Sequence, residues 1–440
     1  MRSCRLTYVW ALLLVGASSA RAEPNLESGD LVLFYGDASS GSRQVAERVE
    51  AFFALRYPDL KITFRTFEAA NGLALKDAAT EFAGLLAWNT PTLVLLSFGP
   101  GALGPGRLPD EAALTAFERD VSAFLEVAKD ARVALLTPAG PAASAYAKYL
   151  AAVVKTRGPG GEPRNNPYPY GTSTPEEGAR AHEQTIGQIA DTLRRIASDR
   201  KLKLLDAHQV VAANSDLEKS IEALPAQGRD PREIASRRNL LWNLYGINVA
   251  VGLLLDDWQA EPIEATVRFD WQNGSADSSV GPAEVAKPTD LARRLTIKSL
   301  PLPWDLGERG PGWWSLVPAA KYCRLTLLVT GAPGGGVVVN DGGLIPIEVT
   351  AGDLAKGFNL ACGGPLPASK PAAELGLAIS KKNMAAIRLA MYYREKYAEP
   401  EFQEPYQAML KATHLWLDAY EKVLARTPRT ADVVLELKAK

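Results

Sequence analysis

Charge of one sign is what this sequence most plainly lacks: 49 Lys and Arg stand against 50 Asp and Glu, a formal net charge of -1. No whole-chain field therefore draws it to nucleic acid or to an anionic membrane. Beyond the N-terminus no run reaches the ~18 apolar residues of a membrane-spanning helix, which excludes an integral membrane segment there. Histidine is scarce, so a mechanism that needs an imidazole base has only His182, His208 and His414 to draw on. Cysteine is equally scarce. Cys4 lies in the N-terminal segment, and the other two, Cys323 and Cys362, allow one disulfide in an exported protein.

What is present is a globular balance, 47% apolar and 22% charged residues, over a length that accommodates two or three domains. The first residues read as a secretory signal: Arg2 and Arg5 give a basic start, residues 6–17 are mostly apolar, and Ala20-Arg21-Ala22 is a small-x-small cleavage site. Cleavage after Ala22 makes 1–22 a signal peptide and predicts an exported protein, periplasmic or extracellular.

The stretch 31–41 organises the rest, an apolar β-forming run that breaks at Gly36-Asp37 and hands a loop to a helix N-terminus. Val45, Val49, Phe52 and Phe53 recur at helical spacing through 44–56, Tyr57-Pro58-Asp59 ends that helix, and 61–65 alternates as a strand. Helices follow at 78–86, 111–127 and 175–200, and strands at 92–98, 131–136 and 202–206. Strands alternating with helices predict a parallel sheet covered on both faces. Ligands meet such sheets at the carboxyl ends of the strands, which directs attention to Asp37, Ala38 and Ser39. Asp37 is also placed to cap the helix that follows. Residues 157–174, rich in Pro and Gly, form an excursion loop whose Tyr168 and Tyr170 either line a sugar-binding rim or pin the loop to the domain.

Gly36-Asp37, the run Arg-Tyr-Pro-Asp-Leu-Lys-Ile-Thr-Phe-Arg at 56–65, Ser97-Phe98-Gly99, Leu-Leu-Thr-Pro at 135–138 and Leu204-Leu205-Asp206 together resemble an SGNH/GDSL hydrolase domain over 29–258. The resemblance implies a flavodoxin-like sheet and ester hydrolysis by a Ser-His-Asp triad, with an oxyanion hole built from the Ser amide, a Gly and an Asn. Position by position, the chemistry is missing. Ala38 stands where the nucleophile belongs, and a methyl group cannot attack a carbonyl. Gly101 replaces the Asn donor beside Gly99, and Tyr245 and Asn248 stand where the acid and base belong. Glu68 takes the position of the family's second-block glycine, with Gly72 nearest to it. The domain thus keeps the fold and lacks the parts of the reaction. The alternative is a displaced arrangement of Ser39, His208 and Asp206 after the first and fifth strands. His182, inside the helix 175–200, reads as solvent-facing.

After Trp258 the strands at 265–271, 294–297, 324–329 and 336–339 are split by Gly/Pro turns without helices, predicting a small β-sandwich within 262–365. An aromatic insert with Trp304, Trp313 and Trp314 either grips a glycan or packs on that sandwich. Residues 352–361 and 379–383 resemble the extension that follows SGNH domains in some exported bacterial proteins. Over 371–426, Leu375, Ile379, Ile387 and Met391 mark one helical stripe and Met409, Trp416, Tyr420 and Val423 a second, a helical hairpin whose stripes read as core packing.

The sequence therefore predicts an α/β, flavodoxin-like parallel sheet of SGNH hydrolase type, a small β-sandwich and a C-terminal helical hairpin. Its expected role is that of an inactive, exported binding or scaffolding module, taking a glycan or acyl-ester ligand at Asp37, Ser39, Ser40, Gly99, Tyr168 and Tyr170. An active carbohydrate or acyl esterase is the alternative. The motifs imply no cofactor and no metal.

Overall fold

The computed structural model of the chain describes residues 25–69, 75–103, 108–154, 170, 172–214, 216–224, 231–286, 292–304, 311–340, 346–362, 369–396 and 403–440. Strands β1 (Leu31–Asp37), β2 (Thr63–Ala69), β3 (Leu93–Ser97), β4 (Arg132–Leu136) and β5 (Lys203–Leu205) form one all-parallel sheet in the order β2-β1-β3-β4-β5. This is the flavodoxin-like order. The connecting helices are α1 (Ser42–Arg56), α2 (Leu75–Asn89), α3 (Glu111–Val127), α4 (Ala143–Val154) and α5 (Pro175–Arg200). After β5 come α6 (Ala207–Ala213), α7 (Leu217–Ala223) and the long α8 (Pro231–Asp257).

Alternation along the strands divides the core into two layers. Val32, Phe34, Leu95 and Leu136 face Val45, Val49 and Phe52 of α1 and Val251 and Leu254 of α8. Leu33, Tyr35, Val94, Leu96 and Leu135 face Phe82 of α2, Phe124 of α3 and Ile189 and Leu193 of α5. Buried on both sides, β1 and β3 are near-continuous apolar runs, as parallel strands must be. Local signals set the helix starts: Asp110 accepts from the Ala113 amide ahead of α3, and Thr174 accepts from the Glu177 amide ahead of α5, with Pro175 in its first turn.

The second part contains two facing sheets. One has the order β13-β10-β6-β7, from β6 (Ile263–Asp270), β7 (Ser275–Ser278), β10 (Cys323–Thr330) and β13 (Phe358–Asn359). The other has the order β12-β11-β14-β9-β8, from β8 (Ala283–Val285), β9 (Ala292–Pro301), β11 (Val337–Asn340), β12 (Ile347–Val349) and β14 (Thr430–Ala439). Short helices α9 (Pro311–Leu316) and α10 (Ala351–Lys356) lie between strands. Val267 and Phe269 share one buried core with Leu295, Ile297, Val433 and Leu435. No element was read from the sequence after 426, yet β14 lies between β9 and β11 at the centre of its sheet. Trp304 and Trp313 are each 1% exposed, and Trp304 Nε1 donates to the Arg48 carbonyl at 3.0 Å, so these two indoles pack rather than present a face. Cys323 is buried on β10, and the side chain of Cys362 lies outside the described residues.

Helices α11 (Ser369–Lys396) and α12 (Gln403–Arg426) form the C-terminal hairpin. Leu375, Ile379, Leu417 and Leu424 are its buried contacts, whereas Trp416 and Val423 are 61% and 51% exposed. The stripe read as core therefore faces solvent, because α12 is rolled so that the positions next to Trp416 and Val423, Leu417 and Leu424, point inward. The side chains of Ile387, Met391 and Met409 lie outside the described residues.

The hairpin covers the edge strand β2, whose unpaired carbonyls would otherwise be open to strand addition. Lys382 of α11 is fully buried, pairs with Glu50 of α1, and donates to the Phe64 carbonyl at 3.2 Å and to Glu421 of α12 at 3.2 Å. Arg65 of β2 completes the network, reaching Glu421 at 3.0 Å and the Phe64 carbonyl at 3.1 Å. Burial raises the Glu50 carboxyl to about 6 against the pull of Lys382. Burial pushes Glu421 up as well, but Lys382 and Arg65 outweigh it and hold that carboxyl below its ordinary range. Lys382→Met strands Glu50 without its cation and is expected to cost about 3–5 kcal/mol in urea unfolding, with Glu50→Gln and Lys382→Met together costing less. Equal losses in the single and double variants would show that the two groups are not coupled.

Candidate functional site

At the carboxyl end of β1 the chain makes a single 3₁₀ turn, Ala38–Ser40, before α1, and Asp37 is its N-cap. Gly36 is required there: opposite Ser97 in the β1–β3 register, any Cβ would overlap the Ser97 carbonyl oxygen. Asp37 is 6% exposed, and its carboxylate gathers the loop. Oδ2 accepts from the Ser39 amide at 3.1 Å and from the Ser39 hydroxyl, while Oδ1 accepts from the amide of Gly99 after β3. The Gly101 amide in turn donates to Ser39 Oγ at 2.9 Å, and the Ser40 hydroxyl donates to the Asp37 carbonyl at 2.7 Å. Burial pushes the Asp37 carboxyl up, against the pull of the Gly99 and Ser39 hydrogen bonds.

Asp37, Ser39, Ser40, Gly99 and Gly101 are thus brought together, with Ser39 exposed at the surface of the cluster. Gly101 has no room for a longer side chain: a Cβ there would stand 2.6 Å from Asp37 Oδ2 and 3.1 Å from Ser39 Oγ. An Asn at 101 does not fit this loop as it is folded.

Tyr245 and Asn248 are not part of the cluster. Asn248 is fully buried on α8, where its Nδ2 donates to the Leu244 carbonyl at 2.8 Å and its Oδ1 accepts from Arg48 of α1 at 3.3 Å. The Tyr245 hydroxyl accepts from Asn214 at 3.2 Å. What α8 sets against the Asp37 loop is Ile247, whose Cγ1 would lie 3.5 Å from a Cβ on Gly41. An aliphatic side chain can neither hold nor move a proton.

Asp206 and His208 lie on the far side of the sheet. Asp206 caps α6, so the two residues share a helix start rather than the extended segment the sequence suggested. Arg194 of α5 grips the Asp206 carboxylate at 2.6 and 3.0 Å, and the Thr137 hydroxyl donates to it at 3.0 Å. Burial raises that carboxyl, but the Arg194, Gln209 and Thr137 hydrogen bonds outweigh it and leave it below its ordinary value. His208 Nδ1 lies 3.1 Å from Arg194 Nη2, a donor that can only be met by an unprotonated ring nitrogen. Burial and the Arg194 charge push this imidazole down. Three strand spacings separate β1 from β5, roughly 14 Å at ~4.8 Å each, so Ser39 and His208 are out of hydrogen-bond reach.

His182 is not solvent-facing. Its ring packs on Tyr146 with centroids 4.6 Å apart, and its Nδ1 lies 3.0 Å from the Tyr170 hydroxyl. Tyr170 therefore fastens its segment to α5, while Tyr168 lies outside the described residues, as does the side chain of His414. Between these groups, beyond β4 and β5, opens a pocket of about 280 Å³ lined by Glu183, Ile186, His208, Asn214, Glu218 and Trp242 among others. Apart from His208, no motif marked these residues. They come from four helices and converge only in the fold.

No protein-family model and no curated protein matches this chain. Among solved structures, a gut microbial diltiazem-metabolizing enzyme superposes on 95% of this chain and 99% of its own, with a TM-score of 0.57 and 15% identity. A GDSL-like lipase from Bacteroides thetaiotaomicron matches over 41% of this chain and 69% of its own, with a TM-score of 0.26 and 15% identity. A catalytic mutant of an acetylxylan esterase from Geobacillus stearothermophilus matches over 54% and 97%, with a TM-score of 0.32 and 14% identity. The first of these likenesses is one of fold, and at 95% of this chain it extends through the parallel sheet, the β-rich part and the hairpin.

Burial lowers His182 to about 4 from an ordinary 6.5. The unfolded chain then binds a proton that the folded chain does not, so this contribution to stability is intact above pH 6.5 and drains away as pH falls towards 4. Thermal unfolding followed across that window is expected to show the loss, and His182→Gln to flatten it. An unchanged slope in the variant would assign the acid sensitivity elsewhere.

Proposed function

We propose that this chain is an exported SGNH-like protein that binds a glycan or acylated glycan and does not hydrolyse it. One observation carries the loss of the reaction. The amides of Ser39, Gly99 and Gly101, the donors that could face an oxyanion after β1 and β3, are all taken by the Asp37 carboxylate and the Ser39 hydroxyl. An oxyanion hole needs donors aimed at an open position where charge develops, and here that position is filled from within. Two further features agree. Ala38 replaces the nucleophile, and among the described residues no serine hydroxyl hydrogen-bonds a histidine ring. The signal-like N-terminus supports export, and the pocket beside β4 and β5, lined by carboxylates, an amide and an indole, supports a hydroxyl-rich or amine-bearing ligand.

A second reading has its own observation. Ser39 is exposed, and its hydroxyl donates to a carboxylate whose proton affinity burial has raised, which is the pairing of a nucleophile with a general base. Against it, the same carboxylate also holds the Ser39 and Gly99 amides, and protonating it would weaken both bonds.

Hydrolysis of an aryl acetate by the purified protein is expected to match buffer, as is hydrolysis by Ala38→Ser, because Asn248 stands at the position of the family's base. A serine-directed fluorophosphonate is expected to leave the protein unlabelled. Stoichiometric labelling of Ser39 would establish the esterase reading instead.

A further inference from the structure

The pocket beyond β4 and β5 is not the cleft the fold would offer a hydrolase substrate, which lies over β1 and β3 where Asp37 has closed the loop. We infer that this pocket is the ligand site and that it takes a protonated amine on a body of about the size of one sugar ring, a hexosamine. The inference rests on the glycan reading above for the sugar and on the pocket alone for the amine.

Three properties of the lining point the same way. The first is charge: Glu183 and Glu218 line the pocket, and among the described residues no Lys or Arg does. Glu218 is partly neutralised by Lys148 at 3.3 Å and receives the Ser144 hydroxyl at 2.6 Å. Glu183 makes no ion pair among the described residues, and its one hydrogen bond is a long one, 3.4 Å, from the Ala143 amide. The second is the balance of donors and acceptors. Asn214 gives one of its two amide N–H groups to the Tyr245 hydroxyl at 3.2 Å, which leaves the other and its oxygen still to be matched. His208 meets Arg194 with Nδ1, so its one proton sits on Nε2. Two carboxylates and an amide oxygen, against N–H groups that are all neutral, make a lining whose charge is negative. A ligand that brings donors and no negative charge matches it, and an ammonium brings three donors and no acceptor. The third is Trp242, a residue only 4% exposed that forms part of the pocket wall and sets an aromatic side chain beside the two carboxylates. A carboxylate-bearing ligand such as a uronic acid or a released acyl product meets repulsion on the same surfaces. A volume of about 280 Å³ accommodates one sugar ring.

Glu183 is the position to change, since it is exposed and holds nothing else in the structure together. Calorimetric titration of the full protein with glucosamine, at a pH where the amine is protonated, is expected to show one saturable site. N-acetylglucosamine, whose nitrogen carries no charge, is expected to bind at least about tenfold more weakly, and E183Q to weaken glucosamine by a similar factor. Cyclohexylamine serves as an ammonium without a sugar. Its binding with the same dependence on Glu183, in the absence of glucosamine binding, would support the amine site and overturn the glycan reading. Equal affinity for the amine and its acetylated form, or an E183Q variant that binds as the parent does, would overturn the inference. So would the absence of binding by any of the three probes, and neither result touches the loss of hydrolysis, which the fluorophosphonate reads separately.

Discussion

The carboxylate of Asp37 is the constraint on which the site depends. A buried carboxylate must be matched by donors, and this one finds them in the loops after two adjacent strands, the Ser39 amide and hydroxyl after β1 and the Gly99 amide after β3. Those bonds fix where both loops sit. They also consume the donors that ester hydrolysis would use, and Ser39 Oγ takes up the Gly101 amide in the same way. On the proposed reading, stability and the loss of chemistry come from the same hydrogen bonds. The glycine at 101 belongs to this arrangement, because a side chain would collide with Asp37 and Ser39.

The C-terminal hairpin fastens the sheet nearer its other end, since Phe64 pairs with Val32 whereas Asp37 pairs with Ala69. Lys382 reaches through the interface to Glu50 and the edge carbonyl of Phe64, so the hairpin is tied to α1 and β2 by a desolvated ion network rather than by apolar packing alone. Desolvated pairs of this kind add little net stability but tolerate few alternative geometries. The return of the chain as β14 into the centre of the second sheet closes the molecule on itself, since the hairpin is anchored at both ends by sheets it does not belong to. α12 meanwhile leaves Leu415, Trp416 and Val423 on the outside.

Much of the parallel sheet was legible because buried parallel strands are continuous apolar runs, and because apolar residues recur at helical spacing between them. The helix at 111–127 and the helix at 175–200 follow directly from such signals. β14 was not legible: Thr430–Ala439 alternates, but nothing local says that its partners lie more than ninety residues earlier in the chain. The roll of α12 was missed for a related reason, since Trp416, Tyr420 and Val423 make as regular a stripe as the residues that are buried, and only the neighbouring helix decides between them. At the site, Asp37, Ser39 and Gly99 could be read from the resemblance. Ile247 and the pocket residues Glu183, Asn214 and Trp242 could not, because they carry no motif and meet only through the crossing of α5, α6 and α8.

The account stands on the claim that the amides of Gly99 and Gly101 are occupied by the chain's own side chains. Resolved backbone amide resonances of these two glycines, followed while an arylboronic acid is added, test it directly, since such a reagent forms a tetrahedral, oxyanion-like adduct only on an activated hydroxyl. The account predicts that neither resonance moves at saturating reagent, the Asp37 and Ser39 hydrogen bonds being retained. A saturable shift of Gly101 accompanied by a boron adduct on Ser39 would contradict it, and would mean that the loop opens to perform the chemistry it is here said to have lost.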